Sequence, residues 1–315
     1  MIKLKNILIA LALSTNFLYS QGLEGHIGII TGGMSIDSSF TVDDKNDRVE
    51  SINSKPDNFT KTLVFPSLEL DYNGVFVKTE FGKNMGAKAG YTWAEDSSIY
   101  ALLTGFGFEQ QLGEDFYYKV EKTKDDMYSN PYDTVVSRTE EEVDKIEAEV
   151  KISKILSVFA LKYKFEDLDI DDQVNADAKQ SGMEHDLELT AFVIPFSDNI
   201  FGGIGVNVGS GDFDGDSNDY EKLGYKYMMR MMFGSAKIML ELRKQSYSYD
   251  TANSYFEKIR DEEETSGFLM YMQDDFLGSK DMFLKTMLIS SKRTSNIDFF
   301  EKSMVGAMVN IGYKF

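Results

Sequence analysis

The chain has 315 residues, with 52 Asp and Glu against 33 Lys and Arg, a net charge of −19, no Cys, 23 Phe, 17 Tyr and one Trp. The absence of cysteine excludes a disulfide framework, a thiolate metal site, a cysteine nucleophile and lipid attachment through an N-terminal cysteine; the acidic balance excludes a nucleic-acid binder, which needs excess Lys and Arg to displace counterions from phosphates. With 42% hydrophobic residues and a mean hydropathy of −0.30, the chain is too apolar for disorder and too polar for a helical membrane bundle.

Residues 1–20 place Lys3 and Lys5 before the apolar run Ile7 to Leu13, and Ser20 stands before Gln21. This order predicts a secretory signal at 1–20, with 21–315 as the exported unit. No later stretch reaches 18 uninterrupted apolar residues, so no helix of this chain is expected to cross a membrane.

From Gly22 onward the hydrophobic period is two. Lys145, Glu147, Glu149 and Lys151 oppose Ile146, Ala148, Val150 and Ile152. Lys162, Lys164 and Glu166 oppose Phe159, Leu161, Tyr163 and Phe165, and Asp186, Glu188 and Thr190 oppose Leu187, Leu189 and Ala191. Each pattern is a strand with one apolar face and one wet face. Fourteen strands are expected, near 22–34, 59–71, 74–83, 98–110, 115–123, 143–153, 157–165, 185–195, 200–211, 220–233, 236–249, 265–275, 280–291 and 299–315. Pro66 cannot donate to a ladder, so a bulge or a slipped boundary is expected inside the second.

The connections sort by length. Asn73-Gly74, 113–115, 154–156, 197–199, Gly234-Ser235 and Gly278-Ser279 are tight, whereas 35–58, 84–97, 124–142, 166–184, 212–219, 250–264 and 292–298 are longer and polar. Short turns at one end, long loops at the other and an even strand count predict an all-β, up-and-down antiparallel transmembrane barrel with short periplasmic turns and acidic extracellular loops. The longer segments hold 32 acids and 11 bases, equal to the whole excess of 21 acids that remains once Lys3 and Lys5 are removed. At the end of the chain, Val305, Ala307, Val309, Ile311, Tyr313 and Phe315 share a face. This pattern is similar to the closing strand through which outer-membrane barrels are inserted, with Tyr313 and Phe315 as its aromatic signal and Asn310 where a Gly is usual.

Asn130-Pro131-Tyr132, then Arg138-Thr139-Glu140 before the strand at Val143, together with Asp169-Ile170-Asp171-Asp172 and the aromatic end, resemble a known family. The chain is similar to the Gram-negative outer-membrane proteins known as domain of unknown function twenty-eight-sixty. The resemblance implies a barrel in the bacterial outer membrane and no catalytic residue.

The two histidines do not suggest catalysis. His26 precedes Ile27-Gly28 rather than the His-x-Ser of barrel phospholipases, and Met183 stands where a barrel protease would need Asp before His185. An enzyme is therefore not expected. Asp212, Asp214, Asp216 and Asp219 alternate in a Gly-containing loop and form a candidate site for Ca²⁺ or Mg²⁺, although the spacing is not that of an EF-hand. No other cofactor is implied. Lys222, Lys226 and Arg230 recur on one face, continued by Lys237 and Arg243. These five, with Lys145, Glu147, Glu149, Lys162, Lys164, Asp186 and Glu188, are the expected pore lining, either as a basic stripe for anions or as a self-neutralised interior. The resulting expectation is a passive channel or uptake pore for small solutes, in contact with outer-membrane lipid, lipopolysaccharide and the barrel-assembly machinery. The competing expectation is a non-conducting surface barrel whose acidic loops bind divalent cations and lipopolysaccharide. Loops 35–58 and 124–142 are the segments long enough to obstruct a lumen.

Overall fold

A computed structural model describes residues 23–42, 47–49, 51–53, 55–80, 86–94, 97–155, 158–170, 173, 178–197 and 199–315. The expected signal segment lies outside the described residues. Sixteen strands form among them: β1 Glu24–Ser38, β2 Asn58–Tyr72, β3 Val75–Glu80, β4 Gly86–Ala94, β5 Ser97–Leu102, β6 Gly105–Leu112, β7 Phe116–Tyr128, β8 Glu140–Ile155, β9 Phe159–Asp169, β10 Gly182–Ser197, β11 Ile200–Phe213, β12 Tyr220–Phe233, β13 Ala236–Asn253, β14 Lys258–Asp274, β15 Met282–Ser295 and β16 Lys302–Lys314. Every strand pairs antiparallel with its chain neighbours, and β1 pairs with β16, closing the barrel. Reciprocal backbone hydrogen bonds of 3.1 and 3.0 Å between Gly25 and Phe315 complete that seam.

The strand count corrects the expected fourteen. The supposed loop 84–97 contains β4, and the single strand expected at 98–110 divides into β5 and β6 at Leu103-Thr104. Strands of six to nine residues lie at or below the lower bound of the roughly 9–11 expected for a bilayer crossing, and Leu103-Thr104 carries none of the usual turn residues. Two strands were added together, so every other connection stays on its expected end. Several strands also run further than their alternation shows. β7 and β8 leave only 129–139 between them, and β13 and β14 leave only 254–257. Acids such as Asp125, Glu142, Glu262 and Glu264 therefore stand on paired strand ends, not in loops as the charge count implied.

Pro66 causes no bulge. It pairs in register with Ile29, and β3 joins β2 only from Glu69 to Tyr72. The Leu68 N–H points to Thr79 Oγ1, so the Pro66 nitrogen faces the same side, beyond the end of that ladder, where no donor is needed.

Contacts that skip strands identify the concave face. Arg243 on β13 reaches Glu188 on β10, and Asn310 on β16 reaches Ser67 on β2 across β1. Side chains can span intervening strands only inside a closed wall, so these residues and those alternating with them face the lumen. The opposite parity points outward: Val64, Ile99, Leu189, Val206, Leu223, Leu242, Leu269, Leu288 and Val305 are all exposed there. An apolar surface that encircles the molecule is stable only in an apolar surrounding. Substituting Leu189→Arg on this belt should cost about 2–4 kcal/mol, measured by urea titration in lipid vesicles; a cost near zero would place Leu189 in water.

Candidate functional site: the lumen and the lid across its mouth

The wall from β7 to β13 carries a ladder of charges. Lys119 lies 2.9 Å from Glu121 and 3.3 Å from Glu147, and Lys164 lies 3.0 Å from Glu147 and 2.8 Å from Glu166. Lys145 meets Glu166 and Lys162 meets Glu149, each at 2.7 Å. Further round, Lys222 pairs with Asp186 and Lys226 with Glu188, while Arg243 bridges Glu188 at 2.9 Å and Glu241 at 3.2 Å. Of the expected lining residues, Arg230 and Lys237 alone make no ion pair among the described residues. Lys222, Lys226 and Arg243 are mostly neutralised, because a charge removed from bulk water needs a partner. The opposite wall carries an apolar patch, with Met287, Ile289 and Met308 buried against Phe268 and Met304.

Glycine makes the cross-strand pairs reachable, a signal the sequence reading missed. Gly209 of β11 stands between Lys222 of β12 and Asp186 of β10, and Gly205 stands between Lys226 and Thr190, two residues from Glu188. A Cβ at Gly209 would lie 2.8 Å from Lys222 Cε, and one at Gly205 would lie 3.2 Å from Lys226 Cε. The lysine stems lie over β11 where those side chains are missing. The alternation of Gly203, Gly205, Gly209 and Gly211 could have disclosed this trough.

His26 departs from expectation. Its Nε2 is 3.0 Å from Ser67 Oγ on β2, and its Nδ1 is 3.1 Å from Glu69. Asn310 Nδ2 donates to the same Oγ at 2.9 Å. The histidine thus has a hydroxyl and a carboxylate within reach, the order of groups in a nucleophile-base-acid relay. Ser67 is only 1% exposed, however, so the hydroxyl is sealed from any solute and the trio ties β1, β2 and β16 together. His185 faces outward and contacts Tyr163 Oη at 2.7 Å.

The mouth at the long-loop end is spanned by aromatic side chains. β7 and β8 lie eight strands from β15 and β16, half of a circumference that gives a width of about 30 Å at ordinary strand spacing and tilt. Tyr132, between β7 and β8, nevertheless stacks on Tyr255 at 4.4 Å and lies 5.3 Å from Phe299, between β15 and β16. Phe40 meets Phe299 at 5.4 Å and Phe300 at 5.6 Å, and Val49, Ala178 and Ile297 complete the cluster. Burial raises the Tyr132 phenol to a pKa of about 12. Arg138 lies under this lid, 4% exposed, with Nη1 donating to the Ser39 and Pro131 carbonyls and the guanidinium 4.1 Å above the Tyr128 ring. Both segments long enough to obstruct the lumen contribute to the lid.

Asp212, Asp214, Asp216 and Asp219 do not converge: no group of three acids or histidines suited to a metal occurs among the described residues. Asp219 instead accepts the Phe213 N–H at 2.7 Å, and burial raises its carboxyl pKa. The loop packs on its neighbour through Asn218 Nδ2 and the Lys179 carbonyl at 2.7 Å.

Removing the central acid should be costly. Glu188→Ala leaves Lys226 and Arg243 short of a partner and should destabilise the barrel by about 3 kcal/mol in urea titration, whereas Lys244→Ala, on an exposed pair, should change stability by less than about 1 kcal/mol. The lid carries its own pH dependence. Asp133 accepts the N–H groups of Val135 and Val136 at 2.8 and 3.1 Å, which holds its carboxyl below the ordinary 3.8. That contribution is complete above the ordinary value and is lost as pH falls through the lowered one. Hydrogen exchange at 129–139 should therefore accelerate below about pH 4 relative to Asp133→Asn.

No curated protein sequence matches the chain. Among solved structures it is similar to an anion-selective porin from Comamonas acidovorans, with 11% identity, 92% of this chain and 98% of that one covered, and a TM-score of 0.44. A bacterial polysaccharide outer membrane secretin gives 8% identity, 91% and 98% coverage and 0.49, and the outer membrane channel DcaP of Acinetobacter baumannii gives 11%, 93% and 97%, and 0.41. At these scores the likenesses add nothing to what the strand pairing already shows. A family model does match across residues 22–314, and the chain belongs to that family, the proteins of unknown function DUF2860.

Proposed function

We propose that the protein is an outer-membrane channel for small solutes whose external mouth is covered by its own loops. The carrying observation is the sorting of side chains by the closed wall, with an exposed apolar belt outside and charges inside. A water-soluble barrel would have the reverse. Sixteen strands fall in the size class that leaves an aqueous passage rather than a filled interior. Outer-membrane lipid and lipopolysaccharide surround the belt, and the strand ending in Tyr313 and Phe315 is the element the assembly machinery would recognise.

Most luminal bases are paired, so strong anion selection cannot come from Lys222, Lys226 or Arg243. Arg230 and Lys237 remain for it near the short-turn end, opposed by the acidic strand ends at the other mouth.

Planar-bilayer recordings test the channel and the lid together. Wild-type protein should show discrete steps, and Tyr132→Ala with Phe299→Ala should raise the open fraction several-fold. Steps in neither protein, with both folded by heat-modifiability, would remove the channel; identical traces would remove the lid as a gate.

A further inference from the structure

The strand register gathers three luminal bases on one stretch of wall near the short-turn end. Arg230 of β12 is opposite Met239 of β13, and Met239 is opposite Met270 of β14. In the next row toward the short turns, Lys237 of β13 and Lys285 of β15 stand on either side of Met272. Lys285 pairs with Asn310, which reaches Ser67 across β1, and Lys237 shares the parity of Arg243, so both rows face the lumen. Neighbouring strands lie about 4.8 Å apart, which puts the Lys237 and Lys285 backbones about 10 Å from each other. Arg230 and Lys237 are diagonal neighbours, about 7–8 Å apart. Side chains of this length can bring their heads to one anionic group across such gaps.

None of the three bases makes an ion pair among the described residues, and the acids around them are already engaged. Asp274, one row nearer the turns, bonds Lys314; Glu241, one row the other way, bonds Arg243; Glu69 bonds His26. Asp274 and Glu69 are the acids whose charge acts on Lys285, and Lys314 opposes them. Like charges gathered in a confined space repel one another and draw in a counterion. This part of the lumen is open to solvent: Arg230 is exposed, and the Asp274 and Lys314 side chains are 39% and 48% exposed.

The surface between the bases is thioether. Met239, Met270 and Met272 are half-buried, whereas the outward positions of the same two strands carry Ile238, Leu240 and Leu269. Methionine is unbranched and polarizable, so it adapts to the shape laid on it and makes favourable contacts with aromatic rings.

We infer that Arg230, Lys237 and Lys285, with Met239, Met270 and Met272 between them, form a binding site for a small aromatic carboxylate. The inference rests on the channel reading, because a solute reaches this wall only through the lumen, and it adds a solute class to that reading. The carboxylate accepts hydrogen bonds from two of the bases at once, and the ring lies on the thioethers. A neutral ring forgoes the charge, acetate forgoes the thioether contacts, and a cation is repelled.

The test is equilibrium binding by the full chain in an uncharged detergent, which does not depend on conductance. Saturation-transfer NMR with benzoate should show saturable binding in the millimolar range, with benzamide and acetate at least tenfold weaker. Lys237→Gln with Lys285→Gln should weaken benzoate at least tenfold while the barrel stays heat-modifiable. Met239→Ser with Met272→Ser should reduce benzoate to the level of acetate, and Lys244→Gln, on the outer face, should leave it unchanged. Benzamide bound as tightly as benzoate, acetate bound as tightly as benzoate, or undiminished binding by the folded lysine variant would each overturn the site. Single-channel steps without saturable benzoate binding would remove the site and keep the channel, whereas benzoate binding without steps would count against the channel alone.

Discussion

Everything in this molecule depends on the hydrogen-bonded seam between β1 and β16. Thirteen register pairs, from His26 with Lys314 to Ser38 with Lys302, leave no open edge, so every strand has two neighbours. In a surrounding without water an unpaired strand edge would cost several kcal/mol per polar group, and closure removes that cost altogether. Closure also creates an inside. Once the wall is continuous, the two faces of each strand cease to be equivalent: one lines a confined space in which charges pair, and the other forms the exposed apolar belt.

The interior then organises itself by the need to pair charge. Asp186 and Glu188 on β10 are met by Lys222 and Lys226, which come from two strands away across a trough of glycine, and Arg243 comes from three. Such pairs gain little net energy in exchange for desolvation, but their loss would leave a cation without a partner. Their consequence is specificity of register. A slip of one residue in β12 would turn Lys222 and Lys226 outward and bring Leu223 and Tyr225 inside.

The lid follows from the same closure. Loops half a circumference apart meet only because the wall brings their ends to one rim, and they meet through rings: each aromatic pair contributes about 0.5–1.5 kcal/mol beyond its buried area. Against this stands Arg138, whose Nε and Nη2 are buried without hydrogen-bond partners among the described residues. A closed lid that buries an incompletely satisfied cation opens at lower cost than apolar packing alone would predict. Arg260, stacked between Tyr249 and Phe300, joins this lid to the wall below it.

The sequence by itself determined the period of two, the shared faces of Lys145, Glu147 and Glu149, of Lys162 and Lys164, of Asp186 and Glu188 and of Lys222 and Lys226, and the apolar closing strand. These are local properties, because alternation and turn chemistry are set within a few residues. β4 to β6 escaped because six to nine residues give too few alternations to mark a strand, and their turn at Leu103-Thr104 has no chemical signature. Which base meets which acid, the contact of His26 with Ser67 and Glu69, the dispersal of Asp212 to Asp219 and the meeting of Tyr132 with Phe299 were decided by tertiary structure alone. They join residues distant in sequence, and the distances are set by the curvature of a closed wall, which no single strand contains.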